Sequence, residues 1–231
     1  MIAIHAYRKA HTTMSPTILI TAGPTWEQID PVRFIGNRSS GHLGCQLALA
    51  SVIAGFQTTL LLGSGSESPT SHPRLQTHTF TSTRDLDALI HQHWSSHQYL
   101  IMAAAVADFT PRGGPLDTKQ SRCDGMKIDL VPTTDLVASA SKNARSDQRI
   151  IAFALGENMS LEQVAKDKLH RKGVDAIVAN PLQTIDAREI TATIYCKDGR
   201  TFSPPPNSSK TAFANWIMKH LDDICSTPRS S

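Results

Sequence analysis

Residues 17–24 read TILITAGP, and this stretch decides the class of fold. Apolar and β-branched residues fill its first five positions, and an alanine, a glycine and a proline then end the run. A short apolar run with a turn signal at its end predicts a buried strand. The segments that follow this strand determine what kind of sheet it joins.

Helical and apolar segments alternate along the chain after the first strand. Helical patterns with capping or stopping residues occur at 41–55, 82–90, 134–141 and 160–172. The apolar runs between them lie at 57–62, 98–105, 149–154 and 175–179. Strands that alternate with helices are typical of a parallel sheet. The sequence therefore predicts an α/β fold with a Rossmann-like, mostly parallel sheet and helices on both faces.

The C-terminal part of the chain departs from this alternation of strands and helices. β-Rich runs at 189–196 and 201–203 flank Asp198-Gly199, a dipeptide that favours a tight hairpin turn. A helical pattern follows at about 210–223. We therefore expect a C-terminal antiparallel hairpin and a last helix that packs back onto the sheet.

Composition narrows the class of protein. The 231 residues are 40% hydrophobic and 19% charged, which is ordinary for a globular protein. The net charge of +3 gives no reason to expect nucleic acid or a membrane as the main partner. No apolar run approaches the roughly 18 residues of a membrane span. We expect an N-terminal arm at 1–14, one domain at 15–225 and a tail at 226–231.

The cysteines indicate a reducing compartment. None belongs to a C-x-x-C pair, and none has a histidine at the spacing of zinc ligands. The simplest interpretation is a cytoplasmic protein with four reduced thiols. These are Cys45, Cys123, Cys196 and Cys225.

The loops after the first and third strands are best placed for chemistry, because ligands of open α/β sheets bind beyond the carboxyl ends of the strands. Small residues at 37–44 lead into a helix, whose first N–H groups attract anions. This segment is either a phosphate cradle or an ordinary serine-capped helix start. The chain contains neither G-x-G-x-x-G nor G-x-x-x-x-G-K-[ST], which argues against a standard dinucleotide site and against a P-loop.

Polar residues also follow the later strands. Asp108 comes after a run of small residues and either binds a ligand hydroxyl or the water shell of Mg²⁺, or forms a turn. Residues 112–125 carry three glycines and Lys119, and they form either a flap or a surface loop. Lys168 and Lys172 lie one helical turn apart, as a triphosphate site or as a solvated basic face.

Taken together, these segments resemble the phosphopantothenoylcysteine synthetase family, the ligase of coenzyme A biosynthesis, over about residues 17–223. The motifs are ITAGPT at 20–25, IDPVRFI at 29–35 with NRSSG at 37–41, MAAAVADF at 102–109, and KLHRKG at 168–173 with IVAN at 177–180. In many bacteria this ligase is half of a bifunctional flavoprotein. The decarboxylase half has no counterpart here, so we expect a stand-alone ligase without flavin.

The resemblance implies a reaction in two steps. The substrates are 4′-phosphopantothenate, L-cysteine and a nucleoside triphosphate, with CTP favoured over ATP. The carboxylate attacks the α-phosphate and gives an acyl-cytidylate and pyrophosphate, and the amine of cysteine then displaces CMP. The resemblance also implies a homodimer that needs Mg²⁺, although it identifies no metal ligands.

The resemblance also assigns roles to individual residues. Asn37 is implied to assist conversion of the acyl-nucleotide, and Lys119 to close over the site and neutralise charge in the first half-reaction. The implied substrate contacts are Asn37, Ala104, Ala105 and Asp108. The implied nucleotide contacts are Gly23, Ser39, Gly41, Gly44, Asp108, Lys119, Thr134, Asp135, Leu136, Val137, Phe153, Lys168, Lys172 and Asn180.

The chain departs from the family pattern at four places. The sequence KQSR at 119–122 replaces Lys-Ile-Lys-Lys, and Thr134 replaces a proline before Asp135. Residues 154–158 replace Ala-Ala-Glu-Thr, and His42 stands where a lysine is common. None of these changes removes a group that the resemblance makes essential.

Two other functions stay open at the level of sequence. One is a nicotinamide-dependent reductase on a similar sheet, and the other is a nucleotide-binding protein without activity. The missing G-x-G-x-x-G argues against the reductase, and saturable binding of NADH or NADPH would favour it. Retention of Asn37, Asp108 and Lys119 argues against loss of activity.

Overall fold

The computed structural model describes residues 15–122, 125–157, 161–184 and 187–226. The expected arm at 1–14, Cys123, the helix cap expected at Ser160 and the tail from 227 lie outside these ranges. No described helix combines the length and the apolar character that crossing a membrane requires.

Strands are numbered along the described residues. They are β1 (Thr17–Ala22), β2 (Trp26–Gln28), β3 (Phe34–Gly36), β4 (Gln57–Gly63), β5 (Leu75–Phe80), β6 (Tyr99–Met102), β7 (Phe109–Pro111), β8 (Leu130–Pro132), β9 (Arg149–Gly156), β10 (Ala176–Pro181), β11 (Glu189–Ile190), β12 (Thr193–Cys196), β13 (Thr201–Phe202) and β14 (Ser208–Ser209). Eight of them form the main sheet in the order β13-β12-β10-β9-β6-β1-β4-β5. The pairs β2-β3, β7-β8 and β11-β14 form separate two-stranded ribbons.

Helices cover both faces of the main sheet. They are α1 (His42–Ile53), α2 (Thr83–His93), α3 (Leu136–Lys142), α4 (Leu161–Lys172), α5 (Lys210–Lys219) and α6 (Leu221–Ile224), with 3₁₀ turns at Trp94–Ser96 and Leu182–Thr184. Ile18 and Ile20 point into the core beneath α1, α5 and α6. Leu19 points into the opposite core, beneath α2, α3 and α4. This alternation follows from the two-residue period of a strand.

The predicted architecture is confirmed. Strand β1 pairs in parallel with β4 and β6, β9 pairs in parallel with β6 and β10, and β12 and β13 form the expected hairpin around Asp198-Gly199. Helix α2 begins at Ser82, whose hydroxyl accepts a hydrogen bond from the Asp85 N–H as part of a capping box. The α/β prediction therefore holds for both the parallel and the antiparallel parts of the sheet.

The predicted strands differ from the observed ones in three ways. The sequence pattern predicts no strand between the runs at 57–62 and 98–105, whereas the structure has β5 there, because an edge strand needs no continuous apolar run. The run at 98–105 gives only β6, because pairing with β9 ends at Met102. The run at 189–196 divides into β11 and β12, which belong to different sheets.

Candidate active site

The loops after β1 and β6 run side by side at the carboxyl edge of the sheet. The N–H of Ala105 donates to the carbonyl oxygen of Gly23 at 2.9 Å, and the N–H of Thr25 donates to the carbonyl oxygen of Ala105 at 3.2 Å. Pro24 and Ala105 form a parallel bridge beyond the end of both strands. The substrate residues implied at 104 and 105 therefore adjoin the glycine implied to contact the nucleotide.

Threonine hydroxyls hold these two loops together. The N–H of Ala104 donates to Thr21 Oγ1 at 3.1 Å, and the N–H of Ala107 donates to Thr25 Oγ1 at 2.8 Å. Both threonines are fully buried. Neither threonine was predicted as part of the site, although a polar residue at the end of an otherwise apolar strand indicates such a role.

Glycines allow a close approach between the loop after β1, the start of α1 and the loop after β4. A Cβ atom added to Gly23 would lie 2.3 Å from Ser66 Oγ, and one added to Gly41 would lie 2.6 Å from the same atom. Both glycines have positive φ angles, of 84° and 72°, which side chains rarely adopt. Ser66 was not predicted as part of the site, because the sequence gives no sign that its loop returns to β1.

Helix α1 begins at this place without a side-chain cap. Gly41 is the N-cap, and the Ser39 and Ser40 hydroxyls instead accept from the N–H groups of Gly41 and His42 at 3.2 and 3.4 Å. Of the two alternatives left open by the sequence, the serine-capped helix start is therefore not the one observed. The first N–H groups of an α-helix have no acceptor within the helix, so the start of α1 is suited to an anion.

Gly44 faces the sheet. A Cβ atom added at this position would lie 2.3 Å from Ala22 Cβ, so a side chain would push α1 away from β1. The glycine permits close packing of the helix on the strand. Its nucleotide contact stays a prediction that depends on its backbone.

Asn37 connects the start of the α1 loop to the loop after β6. Its side chain is exposed, and its Nδ2 donates to the carbonyl oxygen of Val106 at 2.7 Å. Asn37 therefore contacts the loop that carries Ala104, Ala105 and Asp108, and its shared role with these residues stays a prediction. Val106 enters the site only through its backbone, which no sequence pattern revealed.

Two lysines of α4 complete the arrangement. Lys168 Nζ donates to the carbonyl oxygen of Phe153 at 2.9 Å, and Lys172 forms an ion pair with Asp135. Burial and the charge of Lys172 lower the pKa of Lys168, whereas the carboxylates of Asp108 and Asp135 act in the opposite direction. The two lysines therefore interact with the carboxylates of Asp108 and Asp135, so this face of α4 is not simply a basic surface exposed to solvent.

Asp135 also begins α3. Its Oδ1 accepts from the N–H of Ala138 at 3.1 Å. Burial opposes ionisation of Asp135, but the hydrogen bond from Lys172 and the bond from Ala138 lower its pKa overall. Thr134 is exposed next to it, whereas the Leu136 side chain is 3% exposed in the core and Val137 packs against that core. Of these residues, Thr134 and Asp135 therefore keep exposed side chains.

The remaining predicted residues lie further from this group. Asn180, at the end of β10, donates from Nδ2 to Thr184 Oγ1 at 2.6 Å. Lys119 is exposed, and no hydrogen bond or ion pair joins it to any described residue. A cavity of about 720 Å³ lies beside the start of α2 and the β7–β8 ribbon, and Thr134 is the predicted residue that lines it.

Comparison with known proteins gives a consistent family. A model described as the DNA/pantothenate metabolism flavoprotein C-terminal domain matches residues 14–224. The coenzyme A biosynthesis bifunctional protein CoaBC of Vibrio cholerae is 35% identical over 211 residues, which is 88% of this chain and 51% of that protein. The chain spans about half the length of the CoaBC relatives that it matches.

Solved structures agree with this family. The C-terminal domain of a coenzyme A biosynthesis bifunctional protein CoaBC is 31% identical, with a TM-score of 0.75, and the match covers 91% of this chain and 96% of that one. A Cab2 mutant in complex with phosphopantothenate-cysteine has a TM-score of 0.75 at 18% identity, with 90% of this chain and 86% of that one covered. At that identity the second likeness shows the fold alone.

Proposed function

We propose a ligase activity from the premise that the chain belongs to the family of the DNA/pantothenate metabolism flavoprotein C-terminal domain. The protein joins 4′-phosphopantothenate to L-cysteine at the expense of CTP. The products are 4′-phosphopantothenoylcysteine, CMP and pyrophosphate, so the protein acts in coenzyme A biosynthesis. The CoaBC relatives, whose names include coenzyme A biosynthesis, support this proposal.

One observation carries the proposal: on the carboxyl side of the adjacent strands β1, β6 and β9, the chain supplies an open helix N-terminus, an amide and two lysines. Asn37 reaches the loop after β6, and Lys168 reaches Phe153 of β9, one residue beyond the pairing of β9 with β6. A triphosphate needs N–H donors, cations and close access to the backbone. A carboxylic acid substrate needs an adjacent polar group, which the amide of Asn37 provides.

The first half-reaction makes the acid reactive. A carboxylate oxygen of phosphopantothenate forms a bond to the α-phosphorus of CTP. The bond from that phosphorus to the bridging oxygen breaks, and pyrophosphate leaves with the electron pair. Activation is necessary because a free carboxylate would have to expel oxide. The protein contributes positioning and stabilisation of the phosphate charge.

The second half-reaction forms the amide. The free amine of cysteine attacks the carbonyl carbon of the acyl-cytidylate, CMP leaves with the electron pair of the broken carbon–oxygen bond, and the nitrogen loses a proton. We assign Asn37 to this step, because its side chain bonds to the carbonyl oxygen of Val106, in the loop that also carries residues 104 and 105. We assign Lys119 to the first step, as the cation that neutralises charge on the triphosphate.

Mg²⁺ is part of the proposed reaction. Mg²⁺ binds through one or two carboxylates together with substrate phosphates, rather than in an all-protein cage. The described residues fit this habit: they contain no cluster of three or more metal-ligating side chains, and Asp108 presents an exposed carboxylate beside Lys168. Asp108 would hold the ion, which would offset phosphate charge.

A comparison of nucleotides tests the proposal. We expect pyrophosphate release from 4′-phosphopantothenate and CTP in the absence of cysteine, with slower release from ATP, GTP or UTP. Asn37→Asp should allow the acyl-cytidylate to accumulate, which intact-mass or chromatographic analysis would detect. If no triphosphate gives pyrophosphate, the ligase proposal is wrong, and equal rates with all four would remove the preference for CTP.

We also propose a cytoplasmic homodimer. The ribbons β2–β3 and β7–β8 leave large apolar side chains exposed, with Val32, Phe34 and Phe109 at 61%, 47% and 51%. A second protomer that covers them would remove this apolar surface from water. Sedimentation should give about twice the 25.1 kDa mass of the chain.

A further inference from the structure

Asp30 is a buried carboxylate in the loop between β2 and β3. Only 1% of the residue is exposed, and its two oxygens accept four hydrogen bonds. Oδ1 accepts from the N–H groups of Val32 and Arg33, each at 2.9 Å. Oδ2 accepts from Arg33 Nη1 at 2.7 Å and from the N–H of Gln120 at 3.2 Å. The first two bonds are local, whereas the last reaches a segment 90 residues away.

Arg33 binds the same distant residue. Its Nη1 and Nη2 both lie 3.2 Å from the carbonyl oxygen of Gln120. Asp30 and Arg33 therefore hold both the N–H and the carbonyl group of Gln120. A further bond, from the N–H of Leu116 to the carbonyl oxygen of Ile29 at 2.9 Å, fixes the segment at a second residue.

The position of these bonds bears directly on Lys119. The N–H of Gln120 belongs to the peptide unit whose other end is the Cα of Lys119, and the six atoms of a peptide unit are coplanar. Fixing that N–H therefore restricts the Cα of Lys119. The surrounding chain offers little other restraint, because Gly113 and Gly114 have open space around them and the Lys119 side chain is exposed.

We propose that Asp30 is a positioning residue for the first half-reaction: with Arg33, it clamps the peptide unit next to Lys119 and so directs that lysine toward the triphosphate. This inference rests on the proposed function. The N–H bonds from Val32 and Arg33 suffice to form the local turn. The clamp therefore gives the IDPVR sequence a role beyond that turn.

The charges are consistent with this role. Burial tends to raise the pKa of Asp30, but the N–H groups of Val32, Gln120 and Arg33 and the charge of Arg33 lower it overall. The carboxylate is therefore ionised at neutral pH and offsets the charge of Arg33. Lys119 is left as a cation in this segment without an ion-pair partner among the described residues.

Single-turnover pyrophosphate release in a double-mutant cycle tests the clamp. Asp30→Asn keeps the size of the side chain but removes its charge, and we expect release about tenfold to a hundredfold slower at saturating CTP, as for a misplaced catalytic group. The KM for CTP should change less than the rate. In a Lys119→Gln background, Asp30→Asn should cause no further loss, because the lysine that it positions is gone.

Asp175→Asn is the matched control. Asp175 is also a buried aspartate, 3% exposed, whose Oδ2 accepts a backbone hydrogen bond from Ile150 at 2.7 Å. It lies at the opposite edge of the sheet, so its substitution should lower stability without slowing release per folded molecule. Losses of Asp30→Asn and Lys119→Gln that multiply in the double variant would show a merely structural role and overturn the inference.

Amide hydrogen exchange separates this inference from the proposed function. Asp30→Asn should accelerate exchange at Gln120 and Leu116, whereas Asp175→Asn should not. Unchanged exchange at Gln120 would overturn the clamp whatever the activity. If the unsubstituted protein releases no pyrophosphate, the proposed ligase is what fails, and the exchange result alone then decides whether Asp30 holds the segment.

Discussion

The two edges of the parallel sheet differ in how far polar side chains are buried and hydrogen-bonded. At the amino edge, Gln148 is 1% exposed, and its Nε2 donates to the carbonyl oxygens of Trp94 and His97 at 2.8 and 2.7 Å. Its Oε1 accepts from the N–H of Arg145 at 2.8 Å. Both N–H donors and one of the two oxygen lone pairs of this amide therefore bond to the backbone of the fold.

At the carboxyl edge, Asn37, Lys168 and Asp135 have protein partners, but other groups of the candidate site have none among the described residues. The side chains of Asp108 and Lys119 are exposed and form no hydrogen bond with the described residues, and the start of α1 has no side-chain cap. Saturated polar groups stabilise a fold, whereas unsaturated ones contribute little to it and remain available to a ligand. The comparison therefore predicts that Gln148 serves the fold, whereas Asp108 and Lys119 are available to a ligand.

The largest expected effect is at the carboxyl edge. Lys119→Gln should slow pyrophosphate release by about 10²-fold or more, roughly 3 kcal/mol of transition-state stabilisation, because it removes one charge-stabilising donor. Its melting temperature should equal that of the unsubstituted protein. A rapid-quench assay would measure the rate of pyrophosphate release, and calorimetry would measure the melting temperature. A loss of stability as large as the loss of rate would contradict the difference between the two edges.

An intermediate effect of the opposite kind is expected at the amino edge. Gln148→Leu should lower the free energy of unfolding by about 1–3 kcal/mol, because the carbonyl oxygen of His97 loses the donor Nε2 and the N–H of Arg145 loses its acceptor, whereas the carbonyl oxygen of Trp94 keeps the N–H of His97. Urea unfolding would measure this. Gln163→Leu is the control, since Gln163 is exposed and its side chain bonds, among the described residues, to Asp167. A slower rate per folded molecule in Gln148→Leu would contradict the division of roles.

The smallest expected effect concerns pH and the histidines beside Gln148. Burial lowers the pKa of His93 and of His97 from 6.5, and the nearby charge of His78 adds to the effect on His93. The pKa values of these histidines are lower in the folded chain than in the unfolded chain. At a pH between the two values, the unfolded chain therefore binds more protons. Stability should be complete above about pH 6.5 and fall as the pH drops below it.

Thermal unfolding between pH 7.5 and 5.5 would detect this loss. His97→Gln should reduce the pH dependence over this interval, although it costs stability at every pH by breaking the 2.9 Å hydrogen bond to Thr59 Oγ1. His91→Gln is the control, because His91 is exposed. A melting temperature that does not change between pH 7.5 and 5.5 would show that these histidines keep ordinary pKa values.

Part of the site followed from the sequence because strand ends are local features. The apolar run at 17–21 and its glycine stop place the first loop, and the small residues before Asp108 place the second. Parallel strands bring such loops to one edge, so their proximity could be predicted. Ser66 could not be predicted, since its contact with Gly23 and Gly41 depends on how the loop after β4 folds back.

The sequence by itself determined the alternation of strands and helices, the hairpin at Asp198-Gly199 and the edge at which ligands are expected. These features depend on periodicity and turn chemistry within about ten residues. The tertiary structure alone decided that Asp30 binds Gln120, that the Gln148 side chain forms three buried hydrogen bonds and that β5 completes the sheet. Such contacts join residues far apart in the chain, and only packing and the need to satisfy buried polar groups select them.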